Sequence, residues 1–513
     1  LGLWTVLLLS VIFWAPATYP GYWQSAEGFV PALNAAYTGP VATVAAQADL
    51  WRGSGSATFL LTSPLINLGV EPLWALSLAF ALCVILGGLG CYIWLAPRLG
   101  DRAAGLAGLI YMAAPAMTGV LYRQGSLSMA TVLALLPLIL AGLTAYRYQR
   151  SPAAIGAAVL GLLWLWHAQA GMAVLATLVL LLYALLVEKD RLALLALAVS
   201  AAASLLSLSR VMDLQAAPLQ PFAQGFLSLA QLLTLSPAPS AQATPPPVTL
   251  GPVMLIFGLL ALWLLWRNRR GQPTLPTQQR GERQRLLLFS LVTGLVGAGL
   301  SLAWSAPLWS LSGGERLLTY PWQALLITAP FAAALAGSLP ALSPDLSRTP
   351  LWASLLGIAL LGAMPHLLPD FTGYRPPAQP VAVYGEPVKI LLLEAEVTTG
   401  VTAEGDHQAA LTVAWQPLQG LDFDYNIFFQ ALQPNGEGGY DVIAQLDQQP
   451  LFEQPATTWG PGQLFTATYT LALPADPNQD VTRYYFGYYN WQDGSRLPRQ
   501  GGMDDKVILY GDR

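Results

Sequence analysis

Charge is what this chain has least of. Lysine, arginine, aspartate and glutamate together make up 10% of its 513 residues, while 54% are hydrophobic and the mean hydropathy is +0.49. A soluble domain carries about 25% charged residues, so the composition is that of an integral membrane protein. With 24 basic and 28 acidic residues the net charge is −4, and nothing offers nucleic acid a basic field. Three histidines leave little material for multi-metal or multi-haem chemistry. The 2 cysteines, Cys83 and Cys91, fall in one predicted helix about 12 Å apart at roughly 1.5 Å per residue. They cannot bond to each other within that helix, and without a CxxC or CxxCH pattern they read as small apolar packing residues. No cofactor is expected. The chain starts inside an apolar run without a basic segment ahead of it, so 1–16 reads as a spanning helix whose own start is not assured, rather than as a signal peptide.

Long apolar runs are what the chain has in abundance. Runs approaching the roughly 20 residues that a span needs lie near 1–16, 72–95, 103–120, 127–146, 152–168, 170–187, 192–209, 250–266, 286–304, 321–338 and 350–366. They predict a membrane all-α bundle of about 11 transmembrane helices over 1–366. Arg98 and Arg102, Arg147 and Arg150, Lys189 and Arg191, the run "RNRRGQPTLPTQQRGERQR" at 267–285, and Arg348 fall on alternate connections. The positive-inside rule makes these cytoplasmic. The opposite connections hold Arg52, Arg123, Arg210 and Arg316. Outer loops are therefore expected at 17–71 and 210–249, the first lying along the membrane as a lid. Residues 267–285 read as a solvated loop near anionic headgroups.

After Pro365 the pattern changes. "PVKILLLEAEV", "QAALTVAW", "FDYNIFFQAL", "LFTATYTLALP" and "TRYYFGYYNW" are short β-prone runs separated by turn residues. They predict a C-terminal extracytoplasmic β-sandwich over 388–513, joined by a proline-rich linker at 367–387. The location expected is a bacterial cytoplasmic (inner) membrane, with the sandwich on the outer side.

Several strings resemble a bacterial subgroup of the GT-C superfamily of membrane glycosyltransferases. "GYWQSAEGF" is similar to a first-loop acidic motif, "LYRQGSLSMATVLALLPLIL" at 121–140 to an RG-x-x-x-E helix start, and "LTYPWQALLITAP" at 318–330 to a Phe-Pro-Trp-Arg signature. "DYNIFFQAL", "AQLDQQP", "TTWGPG", "LALP" and "SRLP" are similar to an accessory β-domain of such enzymes. The resemblance implies a GT-C-like fold and a donor sugar on a polyprenyl phosphate. It also has departures. Val30 stands where the subgroup has His, Met129 where it has Glu, and Gln323 where it has Arg, while Gln124 is inserted between Arg123 and Gly125.

A GT-C reaction needs a carboxylate to deprotonate an acceptor or hold a metal, and cations to stabilise the departing lipid phosphate. Glu27 is the candidate catalytic carboxylate; its plainer reading is a helix cap or a partner of an outer arginine. A hard divalent metal wants several oxygen ligands, and the loop offers only Glu27 and Asp49. Arg123, Arg210 and Arg316 are candidates for lipid-phosphate binding, because guanidinium matches phosphate with paired hydrogen bonds. His167 and His366 could bracket a haem or touch a quinone, though helix ends collect such residues without function. Trp459 and Trp491 are candidates for stacking on sugars, against the alternative of a sandwich core. Because three expected polar positions are apolar or neutral, the sequence favours a GT-C-fold protein with weakened or lost catalysis. It would be an accessory or scaffold subunit of a membrane complex, for instance one of respiratory or photosynthetic electron transfer. The alternative is an active glycosyltransferase moving a sugar from a polyprenyl-phosphate donor to an extracytoplasmic acceptor. Expected partners are membrane lipids, other membrane subunits and a polyprenyl-phosphate sugar, with no nucleic acid.

Overall fold

The described parts of the apolar runs named above are mainly helical in the computed structural model, which describes residues 1–19, 21–23, 25, 60–208, 222–234, 248–268, 277–367, 371–372, 377, 380–385, 389–402, 405–417, 421–436, 438–459, 463–474, 483–499 and 505–510. These residues fall into two compact units, a helical one within 1–23 and 34–373 and a β-rich one within 24–33 and 374–513.

The principal helices of the first unit are α1 (Gly2–Trp14), α2 (Pro72–Leu99), α3 (Asp101–Ala113), α4 (Leu127–Gln149), α5 (Pro152–Ala168), α6 (Ala170–Tyr183), α7 (Arg191–Leu208), α8 (Pro252–Asn268), α9 (Thr277–Ser301), α10 (Gln323–Gly337) and α11 (Thr349–Ala363). Their boundaries follow local chemistry. Proline opens α2, α5 and α8 at the position where its missing N–H costs nothing. Gly100, at φ +83°, reverses the chain between α2 and α3. Among the described residues five stretches are long and apolar enough to cross a membrane: Pro72–Leu99, Asp101–Gln124, Leu127–Gln149, Ala170–Glu188 and Arg280–Ser301. The chain is a multi-pass membrane protein. The remaining apolar helices are shorter than a full span, because prolines and polar breaks such as Gln169 cut the runs, so a total of eleven crossings stays an expectation.

Small residues let the helices approach closely, as membrane bundles require in the absence of a hydrophobic drive between helices. A side chain at Gly105 would meet the Cα of Gly2 at 2.5 Å, and one at Gly337 would meet the Cα of Ala107 at 2.4 Å. The stretch Asp101–Gln124 is accordingly buried along its whole apolar window, with α1, α2, α10 and α11 packed around it.

The direction of successive helices gathers the basic connections at one end. Arg98, Arg102, Arg147, Arg150 and Arg283 all lie there, tied to Glu188, Ser347, Glu282, Asp190 and Ala341 respectively. At the opposite end a short antiparallel pair, β1 (Tyr22–Trp23) with β2 (Phe371–Thr372), joins the segment after α1 to the segment after α11.

In the second unit, β3 (Ala382–Tyr384), β4 (Ile390–Val401), β5 (His407–Pro417) and β8 (Phe465–Ala472) form one antiparallel sheet in the order β3-β4-β5-β8. The other has the order β10-β9-β6-β7, from β6 (Asn426–Pro434), β7 (Tyr440–Gln448), β9 (Arg483–Tyr489) and β10 (Val507–Leu509). Both sheets feed one core that includes Trp415, Phe429, Tyr469 and Phe486. Alternation of inward apolar and outward polar residues is plain in β8, whose Phe465, Tyr469 and Leu471 are buried. β3 lies inside 367–387, the stretch expected as a linker: Ala382, Val383 and Tyr384 pair with β4 and make an edge strand.

Candidate functional site

The end opposite the arginine-rich one is built around the turn between α3 and α4. After Pro115 the chain runs through a short helix into a wider helical turn, Val120–Gln124. Gly125, at φ +70°, closes it, and its N–H donates to the Val120 carbonyl at 2.9 Å. This left-handed conformation is what glycine supplies at low cost. Ser126 then caps α4 by accepting from the Met129 N–H at 3.5 Å. The turn is pinned on both sides. Trp23 donates its indole N–H to the Leu121 carbonyl at 2.9 Å, and the Tyr122 hydroxyl donates to the Phe13 carbonyl at 2.6 Å.

Arg123 sits half-buried on this pinned turn, and no hydrogen bond or ion pair occupies it among the described residues. His366, in the turn Met364–His366 after α11, is buried within reach of the charge of Arg123. Its Nε2 has no hydrogen-bond partner among the described residues. The turns that follow α3 and α11 thus bring a guanidinium and an imidazole nitrogen near each other, each with unused capacity, and such groups suit an anion carrying an acceptor and a proton.

Nearby in the chain, the structure joins two of the positions at which the GT-C motifs are departed from. Gln323 is 0% exposed at the first turn of α10. Its Oε1 accepts from the N–H groups of Thr319 and Tyr320 at 3.0 and 3.2 Å, and its Nε2 points at the sulfur of Met129 at 3.9 Å. Where the resemblance leads one to expect Glu and Arg, a thioether meets an amide. Two opposite charges at these positions would have been a buried ion pair, and replacing such a pair by neutral groups of similar size often costs nothing.

Of the other candidates, Glu27 and Arg210 lie outside the described residues, as do Val30, Asp49 and Arg52. Arg316 is exposed in the turn Gly314–Arg316, and no hydrogen bond or ion pair joins it to Arg123 or Gln323 among the described residues. His167 ends α5 with its Nδ1 buried and without a partner among the described residues. No contact between it and His366 appears among them. No group of three or more His, Cys, Asp or Glu side chains converges among the described residues. In the sandwich, Trp459 is 3% exposed, packs on Phe465 at 4.9 Å and donates its indole N–H to the Gln454 carbonyl at 2.9 Å. Its faces are taken up by the core, which corrects its expected role as a stacking platform. Trp491 is 53% exposed and lies 6.0 Å from Phe423, so an aromatic surface is available there.

At the arginine-rich end the structure holds a network that the sequence reading missed. Arg98 and Glu188, 2% and 1% exposed, form a buried ion pair. Thr144 donates to the Glu188 Oε1 at 3.1 Å, Arg98 donates to Thr144 at 2.9 Å and to the Tyr183 hydroxyl at 3.2 Å, and Trp94 donates to the same hydroxyl at 2.8 Å. Arg147 reaches both Glu188 and Glu282, the latter at 2.7 Å. The available signal was a glutamate beside a basic connection, as Glu188 is beside Lys189 and Glu282 within "RGERQR".

Residues 55–213 match the model of a family described as 6-pyruvoyl-tetrahydropterin synthase related domain, membrane protein. A search of curated protein sequences finds no match. Among solved structures, the chain is similar to the arabinofuranosyltransferase AftD from Mycobacteria, at 19% identity and a TM-score of 0.42 over 72% of this chain. It is also similar to an oligosaccharyltransferase from Archaeoglobus fulgidus, at 14% identity and a TM-score of 0.33, again over 72% of this chain. The chain spans 28% of the length of the first and 54% of the second.

Proposed function

We propose that this is a GT-C-like membrane protein of weakened or lost catalysis that serves as an accessory or scaffold subunit of a membrane complex. The observation that carries the reading is the contact between Met129 and Gln323. At these two positions the motifs call for an acid and a base, and both partners here are neutral and occupied with each other and with the backbone. Glu27 is then the one first-loop carboxylate of the motif set that remains, and catalysis by a single acid without its surrounding charges is poorly supported. The retained Arg123 serves to anchor a lipid phosphate rather than to drive a reaction. Purification in mild detergent is expected to yield other membrane subunits with the chain, and no sugar transfer from a polyprenyl-phosphate donor. Transfer by the purified chain, abolished by Glu27→Gln, would overturn the reading.

A second reading is favoured by the same contact seen from the other side. A buried acid and base that touch each other hold helices together as much as they serve chemistry, so their joint neutralisation leaves Arg123 and Glu27 untouched. On this reading the chain is an active transferase acting at the end of the bundle that carries Arg123. The transfer assay with Glu27→Gln separates the two.

A further inference from the structure

One groove in the helical unit is not used by any of the readings above. It holds about 490 Å³ and lies between α6 with the turn Ala184–Glu188 that follows it, α9 and α10. That volume is in the range of small-ligand sites. Leu178, Leu182, Leu288, Val292 and Val296 line it and are exposed, so the groove opens sideways to the bilayer. Of its few polar members, the Thr328 hydroxyl is already served, donating to the Ala324 carbonyl at 3.2 Å.

Arg285 is the sole charged residue among those lining the groove. It lies on α9 at the arginine-rich end, one turn beyond Glu282. The acids at that end are engaged elsewhere. Glu282 is held by Arg147 and Tyr148, Glu188 by Arg98 and Thr144, Asp190 by Arg150, and Asp345 by Arg348. The neighbouring Arg283 donates to the Ala341 carbonyl. Arg285 has no acidic partner among the described residues, and its Nε is buried without an acceptor. A buried donor on a cation, left without an acceptor, costs more than a satisfied one. The charge complement is an anion, and the wall below it accepts only apolar chain.

We propose that this groove binds an anionic phospholipid, with its phosphate on Arg285 and an acyl chain along α9 between α6 and α10. Guanidinium pairs with phosphate oxygens through two parallel hydrogen bonds, which an ester-linked phosphate at the membrane surface can meet while its tail stays in hydrocarbon. The arginine-rich end is also the end at which anionic lipid concentrates if the basic connections are cytoplasmic. The site is independent of sugar transfer and needs only that the helices be embedded. Bound lipid would wedge α9 against α6 and α10, which otherwise leave this seam open.

The test is native mass spectrometry of the full-length chain in detergent, titrated with phosphatidylglycerol and with phosphatidylcholine of identical acyl chains. The wild type is expected to retain phosphatidylglycerol roughly tenfold better, as a charge-assisted bond predicts. Arg285→Gln is expected to bring the two lipids to parity without lowering the lipid-free melting temperature, because Arg285 holds nothing inside the protein. Arg285→Lys should keep most of the preference, and Val292→Trp, which fills the groove, should lose both lipids. Equal retention by the wild type, or an undiminished preference in Arg285→Gln, overturns the proposal. So does competition by glycerol phosphate as strong as by the whole lipid, or a second polypeptide released by Val292→Trp.

Discussion

Arg285 in its groove apart, the two ends of the helical unit treat charge in opposite ways. At one end Arg98, Arg147, Glu188 and Glu282 satisfy one another, and Thr144, Tyr183, Trp94 and Tyr148 take up the remaining donors and acceptors. At the other end Arg123 is held on a turn pinned by Trp23 and Tyr122, and His366 on the turn after α11, yet neither has its bonding capacity filled among the described residues. A charge that is buried and fully paired fixes helix ends in place. A charge that is positioned but unpaired is kept for something outside the fold, since its retention near hydrocarbon is costly otherwise.

The comparison is broken most forcefully at the paired end. Arg98→Ala leaves Glu188 buried without its principal partner, and loss of one member of a buried pair costs about 3–5 kcal/mol. The variant is expected to aggregate or to melt far below the wild type in size-exclusion thermal scans. The double variant Arg98→Met with Glu188→Met should recover much of that loss, because no charge is then left unpaired. A single variant as stable as the wild type would mean that water reaches this end freely.

The second break lies between α4 and α10. Met129→Glu or Gln323→Arg alone inserts a charge at a fully buried position, with an expected loss of roughly 3 kcal/mol each. Together they form an ion pair across the 3.9 Å contact, and the double variant should lose distinctly less than the sum. Simple addition of the two losses would show that these positions do not communicate and that the neutral contact says nothing about a lost ion pair.

Arg123→Ala tests the unpaired end and should behave in the contrary manner. Stability should change within about 0.5 kcal/mol, as for a side chain without internal partners. Binding of a polyprenyl phosphate, measured on the purified chain, should weaken about tenfold or more through loss of a charge-assisted bond. Unchanged affinity together with a large drop in melting temperature would move Arg123 to the structural class.

How far these differences were legible from sequence depends on the range of the interaction. The helical runs are written locally, in apolar length and in prolines such as Pro72, Pro152 and Pro252 that fix where helices start. The arginine-rich connections, too, fall together by alternation alone. The partners across helices are not written locally: Arg98 and Glu188 are 90 positions apart, and Met129 and Gln323 are 194 apart. No periodicity encodes which acid a given arginine meets. In the tail, β-prone runs announced the sheets, but whether Trp459 faced the core depended on the neighbouring Trp415 and Phe465, which only the strand pairing brings to it. β3 was hidden because three residues between prolines carry too little alternation to read as a strand.

A surface pair in the sandwich supplies the mildest test of what burial adds. Lys389 donates to the Asp422 carboxylate at 2.7 Å and to the Tyr425 hydroxyl at 2.9 Å. The hydrogen bond from Lys389 holds the Asp422 carboxyl below the usual aspartate range. Because the folded value lies below the unfolded one near 3.9, the contribution is complete above about pH 4 and fades as pH falls through the lowered value. Asp422 is largely exposed, so screening by water leaves it about 0.2–1 kcal/mol. Asp422→Asn should therefore lower the denaturation midpoint of the β-rich unit slightly at pH 7, while wild type and variant converge near pH 2. Breaking the same contact between two opposite charges is thus expected to cost several times less here than between Arg98 and Glu188, because the charge left behind is solvated here and stays buried there. A gap between wild type and variant that persists undiminished at low pH would assign the effect to the packing of Asp422 against Tyr425 instead.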